Sequence, residues 1–177
     1  MTKYLVLDCE MTGLDIDKHQ IIQIAAQVLD HNYVAIDVFS MYVRYMGGQV
    51  DPEASAIHGI DLDKISSDNF YTPDMALELF YFFCSKHSKD GLILAGYFVN
   101  EVDVPFITKT ERHRKYFNKT FSAFLDIKQF VYKSGCFSIK DACEQYELPV
   151  FKEHDAMNDV LMTSSLLREM QKQGHLL

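Results

Sequence analysis

Three apolar, strand-like runs crowd the first 44 residues: 3–8 (KYLVLD), 20–29 (QIIQIAAQVL) and 33–44 (YVAIDVFSMYVR). The polar turn Asp30-His31-Asn32 separates the last two, which together with the first predict an antiparallel meander. Gly47-Gly48 and Asp51-Pro52 then break the pattern, and residues 53–65 predict short helical turns at most. A helix opens at Pro73 with Thr72 as its cap, and its apolar positions are Met75, Leu77, Leu79, Phe80 and Phe83. A short strand at 91–95 (GLILA), a helix around 103–115, a strand near 121–126 and a helix at 138–146 capped by Ser138 follow. The last helix, about 155–173, repeats Ala156, Val160, Leu161, Ser164, Leu167 and Met170 at helical spacing. Strands first, then alternating helix and strand, imply an α/β fold: a mixed sheet with helices packed on its faces. With no linker or internal repeat, residues 1–177 read as a single domain.

Composition excludes several classes. Hydrophobic residues at 48% and charged residues at 24% rule out a disordered chain. No apolar run reaches membrane-spanning length, and Met1-Thr2-Lys3-Tyr4 leads straight into the first strand, so neither a membrane span nor a signal peptide is expected. The four cysteines (Cys9, Cys84, Cys136, Cys143) form no C-x-x-C pair, which fits free thiols in a reducing cytoplasm. The net charge of −8 weighs against nonspecific binding of phosphate backbones. A carboxylate cluster awaiting divalent cations would contribute to such a sum.

The chemistry-bearing signal sits at the end of the first strand. Asp8 and Glu10 are two apart, so strand alternation sends both carboxylates to one face. Behind Leu5-Val6-Leu7, such a pair is costly unless a cation or hydrogen-bond donors neutralise it. Alone, a D-x-E string is short and common, and an acid pair facing water explains it as well. Asp103 alone reads as an acid favourable to a helix N-terminus, and Asp159 lies beside the apolar stripe of the last helix rather than opposite it.

The continuation Asp8-Cys9-Glu10-Met11-Thr12-Gly13-Leu14-Asp15 resembles the first motif of the DEDDh (DnaQ-like) 3′–5′ exonucleases of the RNase H-like superfamily. Asp103, with Pro105-Phe106-Ile107 behind it, resembles that family's second motif. Here Tyr97-Phe98 stand where the family has His-Asn, and Asn100 lies closer to the aspartate. His154-Asp155-Ala156-Met157-Asn158-Asp159 matches the third motif, H-x-A-x-x-D. Ala56-Ile57-His58-Gly59-Ile60 is similar to a further family segment near the active site, and Asp126 matches a family aspartate taken as structural.

The resemblance implies an RNase H-like fold with a five-stranded sheet. It also implies two Mg²⁺ or Mn²⁺ ions on Asp8, Glu10, Asp103 and Asp159, with Asp8 shared. Such hard, oxygen-only ligands suit these ions. His154 is then the general base, an imidazole suited to proton transfer near neutral pH. Met11, Thr12, Gly13 and Leu14 would hold the 3′ end. His58 contacts the terminal nucleotide or holds its loop; both readings stay open. The basic run Lys109, Arg112, Arg114 and Lys115 would guide the remaining strand, or form a solvated helix end. The expected activity is release of nucleoside 5′-monophosphates from single-stranded nucleic acid, DNA favoured. The alternatives are an oligoribonuclease-like RNA exonuclease and a non-catalytic nucleic-acid or polymerase docking module. A polymerase or other replication protein is the partner class the resemblance admits. Only Gln173-Gly174-His175-Leu176-Leu177 follow the last helix, so a stand-alone enzyme or an excised catalytic domain is expected rather than a subunit with a polymerase-binding tail.

Overall fold

The structure, a computed structural model, describes residues 2–176, with Asp90 described by its backbone alone; Met1 and Leu177, at the expected chain start and tail, lie outside it. The meander is built from β1 (Lys3–Met11), β2 (Ile21–Leu29) and β3 (Ala35–Tyr42), each antiparallel to the one before. The turn at Asp30 closes tightly because Asp30 Oδ1 accepts from the Asn32 and Val34 amides at 2.8 and 2.9 Å. Two further strands, β4 (Leu92–Gly96) and β5 (Phe121–Asp126), add in parallel on the other side of β1. The sheet order is β3-β2-β1-β4-β5, the mixed five-stranded sheet that the resemblance implied.

β1 is central and covered on both faces. Leu5, Leu7, Cys9 and Met11 join one core with α3 (Pro73–Ser85), whereas Tyr4 and Val6 join the core under α8 (Ala156–Lys172). Alternation therefore puts Asp8 and Glu10 on the α8 face, where the apolar cover ends. Burial on both faces explains why Leu5-Val6-Leu7 reads as an unbroken apolar run. The helix starts follow from their caps: Thr72 accepts from the Met75 amide with Pro73 in the first turn, and Ser138 caps α7 (Ile139–Gln145) by accepting from Asp141 N at 3.0 Å.

The structure corrects three details of the expected elements. The helix expected at 103–115 is two: α4 (Asp103–Ile107) ends at Thr108, and Thr110, in an extended conformation, caps α5 (Glu111–Thr120) by accepting from His113 N at 3.1 Å. A helix the apolar pattern did not predict, α6 (Lys128–Lys133), follows β5. Met75, expected on the apolar face of α3, is 53% exposed. The turns expected at 53–65 are α1 (Pro52–His58) and α2 (Leu62–Ile65).

Candidate active site

β1 delivers Asp8 and Glu10 to the end of the sheet, and the first turn of α8 brings Asp159 across from them. Carboxylate oxygens of Asp8, Glu10 and Asp159 lie within 4.8 Å of one another. Asp8 and Glu10 are half-buried and Asp159 is buried. Asp103 stands next to this group: it is buried at the start of α4, and its Oδ1 accepts from the Cys9 amide at 2.8 Å. It is not one of the three that converge, yet its charge is the strongest of the neighbouring charges acting on Asp8.

The electrostatics are those of acids kept from full ionisation. Burial, followed by the charges of Asp103, Asp159 and Glu10, pushes Asp8 well above the usual carboxylate range. Burial and the charges of Asp159 and Asp155 raise Glu10 to about 8. Burial carries Asp103 up to about 8 against the Cys9 amide, which draws it down. Asp159 rises only to about 6, because the His154 backbone amide and the nearby imidazole offset its burial. An all-oxygen set with this much mutual repulsion fits hard divalent cations, whose charge would relieve it.

His154 is exposed and sits in the left-handed region at φ +62°, just before α8. Its N–H donates to Asp159 Oδ2 at 2.9 Å, fixing the loop to the acid. Asp155 caps α8 through the Met157 and Asn158 amides. Gln23, a register neighbour of Glu10 on β2, accepts from Ala156 N at 3.2 Å and donates to Asp155 Oδ2 at 3.5 Å. Buried at 3% exposure, Gln23 thus ties the helix start to the sheet. Its role went unpredicted: Gln27 shares the same face of β2, so alternation alone does not single Gln23 out.

The segment after β1 is held by side chains as well as backbone. Gly13 lies against His19, whose ring a Cβ there would meet at 2.6 Å. Thr12 is buried, its hydroxyl 3.2 Å from His19 Nδ1 and accepting from Gln20 N at 3.2 Å. Met11 is buried, and Leu14 beyond is 72% exposed, an apolar side chain presented to solvent. His58 is buried; its Nδ1 accepts from Ile60 N at 2.9 Å, and its Nε2 has no partner. It lines a cavity of about 300 Å³ that Tyr42, Lys64, Lys152, Asp155 and Asn158 share. Burial, then the charge of His154, lowers its pKa.

The expected basic run is largely spent on its own neighbours. Arg112 pairs with Asp74 and Glu78, Lys115 with Glu111 at 2.8 Å, and Lys109 donates to the Ile16 carbonyl. Asp126 is structural in geometry: its Oδ1 accepts from Phe98 N at 3.1 Å and Lys128 N at 3.0 Å, joining the ends of β4 and β5.

No curated protein matches the sequence significantly. Among solved structures, Exonuclease I of E. coli in complex with a dA16 oligonucleotide superposes with a TM-score of 0.76 at 15% identity, covering 97% of this chain and 41% of that one. Exonuclease I from Methylocaldum szegediense gives 0.75 at 15% identity, covering 98% and 41%. Cell-death related nuclease 4 gives 0.71 at 18% identity, covering 98% and 65%. These likenesses show the fold, and the chain spans about two-fifths of the length of the Exonuclease I structures. The exonuclease family model matches residues 5–167, from β1 through most of α8 and across all three motifs. On that match, and with the RNase H-like sheet beneath it, the chain belongs to the DnaQ-like exonuclease family.

Proposed function

We propose that this nuclease is a metal-dependent DEDDh 3′–5′ exonuclease that removes nucleoside 5′-monophosphates from single-stranded nucleic acid, DNA favoured over RNA. The observation that carries the reading is the convergence of Asp8, Glu10 and Asp159 within 4.8 Å at the end of the sheet, beside a buried Asp103 and a histidine loop. The Exonuclease I structures contain single-stranded oligonucleotides such as dA16 and dT13, which supports the choice of substrate.

Asp8, Glu10, Asp103 and Asp159 would hold two Mg²⁺ or Mn²⁺ ions. Bound there, the ions would screen the phosphodiester charge, acidify water and stabilise the leaving 3′ oxygen. His154 accepts the proton of the attacking water, and its exposure leaves the imidazole free to approach the acids. The Asp159 carboxylate holds the loop of that base through the His154 amide. Met11, Thr12 and Gly13 position the terminal nucleotide, Leu14 packs against it, and His58 offers its unpartnered Nε2 from the adjoining cavity.

The test is hydrolysis of a 3′-labelled single strand, DNA and RNA in parallel, with Mg²⁺ or Mn²⁺ and with chelator. Labelled mononucleotide should appear only with metal, and Asp8→Ala should abolish it. Inactivity of the metal-loaded protein on both nucleic acids, or normal turnover by Asp8→Ala, overturns the reading.

A further inference from the structure

The geometry points to a base-stacking platform, formed by Tyr97, Phe98, Tyr132 and Phe137, for the single strand whose 3′ end lies at the carboxylates; it rests on the exonuclease reading. The platform begins where this chain departs from the motif it resembles, at Tyr97-Phe98 in the turn after β4. β1 and β4 run parallel with Val6 opposite Ala95, so two residues further along each strand direction come Asp8 and Tyr97, on the α8 side. The same turn leads into Asp103: Phe98 O accepts from the Glu101 and Val102 amides, and Val99 O accepts from Asp103 N. The aromatic pair is therefore built into the backbone that positions an acid.

From there the rings run outward. Tyr97 meets Phe98 edge-on at 4.9 Å, Phe98 meets Tyr132 at 6.1 Å, and Tyr132 meets Phe137 at 6.2 Å. Tyr97 Oη donates to the Phe137 carbonyl at 2.9 Å, which braces the loop carrying the last ring. Lys128, ion-paired with Glu101, has its Nζ 4.8 Å from the Phe98 ring centroid and so packs the platform's inner end. Phe137 is 80% exposed and Tyr132 47% exposed, so the outer rings present their surfaces to solvent. Phe98 takes φ +56°, a conformation unfavourable for a bulky side chain, and the Asp126 carboxylate holds it there through the Phe98 amide.

A series of open aromatic rings continuous with an active site is suited to unpaired bases, each of which offers a π face whatever its sequence. A duplex has already stacked those faces internally. The sheet end would then hold the terminal nucleotide, and the platform the bases that follow it. On α5, Arg112 and Lys115 are engaged in ion pairs, and stacking supplies a hold on the strand that does not draw on them.

The chain contains no tryptophan, so Phe137→Trp installs a single reporter at the outer ring. The probe is a phosphorothioate single strand of about ten nucleotides, which persists in the presence of Mg²⁺. Saturable quenching of the indole emission by that strand, and much weaker quenching by a blunt duplex of the same sequence, is expected. Phe137→Ala and Tyr132→Ala should each weaken binding of the strand roughly tenfold, with a much smaller change for a dinucleotide. Emission unmoved by saturating strand, or equal losses on dinucleotide and strand, overturns the platform. Hydrolysis of an ordinary strand is scored separately on the wild-type protein. Cleavage without quenching removes the platform and keeps the exonuclease, whereas quenching without cleavage keeps the platform and removes the exonuclease.

Discussion

At the scale of single residues, the four acids are not equivalent. Asp8, Glu10 and Asp159 converge, while Asp103 spends one oxygen on the Cys9 amide and acts on Asp8 from beside it. Asp8, Glu10 and Asp159 were legible through the motifs they resemble; alternation alone put Asp8 and Glu10 on one face without separating a site from an acid pair facing water. Gln23 was illegible for the opposite reason: its function lies in hydrogen bonds to residues more than 130 positions away. His154 stands apart, exposed and anchored by its backbone rather than its ring. Replacing it should therefore remove chemistry and leave the metal site. His154→Ala is expected to lower kcat by about 10²–10⁴-fold while the rise in Tm on adding Mg²⁺ persists. A variant of near-normal kcat would show that another group takes the proton.

At the scale of elements, apolar period placed all five strands and the long helices, and caps placed their starts. Where period failed, local backbone chemistry decided. Residues 103–115 carry one helical pattern but two starts, since Thr110 competes for the helix as a cap. α6 is too short to show a period, and only the packing of Val131 and the preceding Ile127 reveals it. The end of β4 is a tight joint of the site, closed by backbone on one side. Gly96 pairs with Asp126, and a Cβ there would meet Val99 Cβ at 2.6 Å and the Leu7 carbonyl at 3.0 Å. Backbone on one side and a buried β-branched residue on the other leave little room to relax. Gly96→Ala should cost about 1–3 kcal/mol, seen as a lower urea midpoint at unchanged slope, and activity should fall with the displacement of the Asp103 turn. An unchanged midpoint would mean that the turn can shift freely.

At the scale of the whole molecule, the acid set couples stability to pH and to metal. Glu10 and Asp103 titrate at about 8 in the folded protein and Asp159 at about 6, each above its unfolded value. Folding then holds protons that the unfolded chain has released, so metal-free stability falls as pH rises from about 4 to about 8. Melting in chelator should show a Tm that declines across that window, and saturating Mg²⁺ should flatten the decline by binding the ionised acids. A Tm that rises with pH in chelator would contradict the burial of these groups. The four free cysteines are all buried, and among the described residues no helix is long and apolar enough to cross a membrane. The net charge of −8 is unfavourable for nucleic-acid binding at long range, so the proposed function draws its affinity from bound cations at the sheet end and from contacts beyond it. The exonuclease reading turns on polarity. One single strand, labelled at its 5′ end in one sample and its 3′ end in another, is digested with Mn²⁺ and resolved by length. The 3′ label should leave at once as a mononucleotide while the 5′ label descends one nucleotide at a time. Early loss of the 5′ label, or internal fragments from both samples, would contradict a 3′–5′ exonuclease.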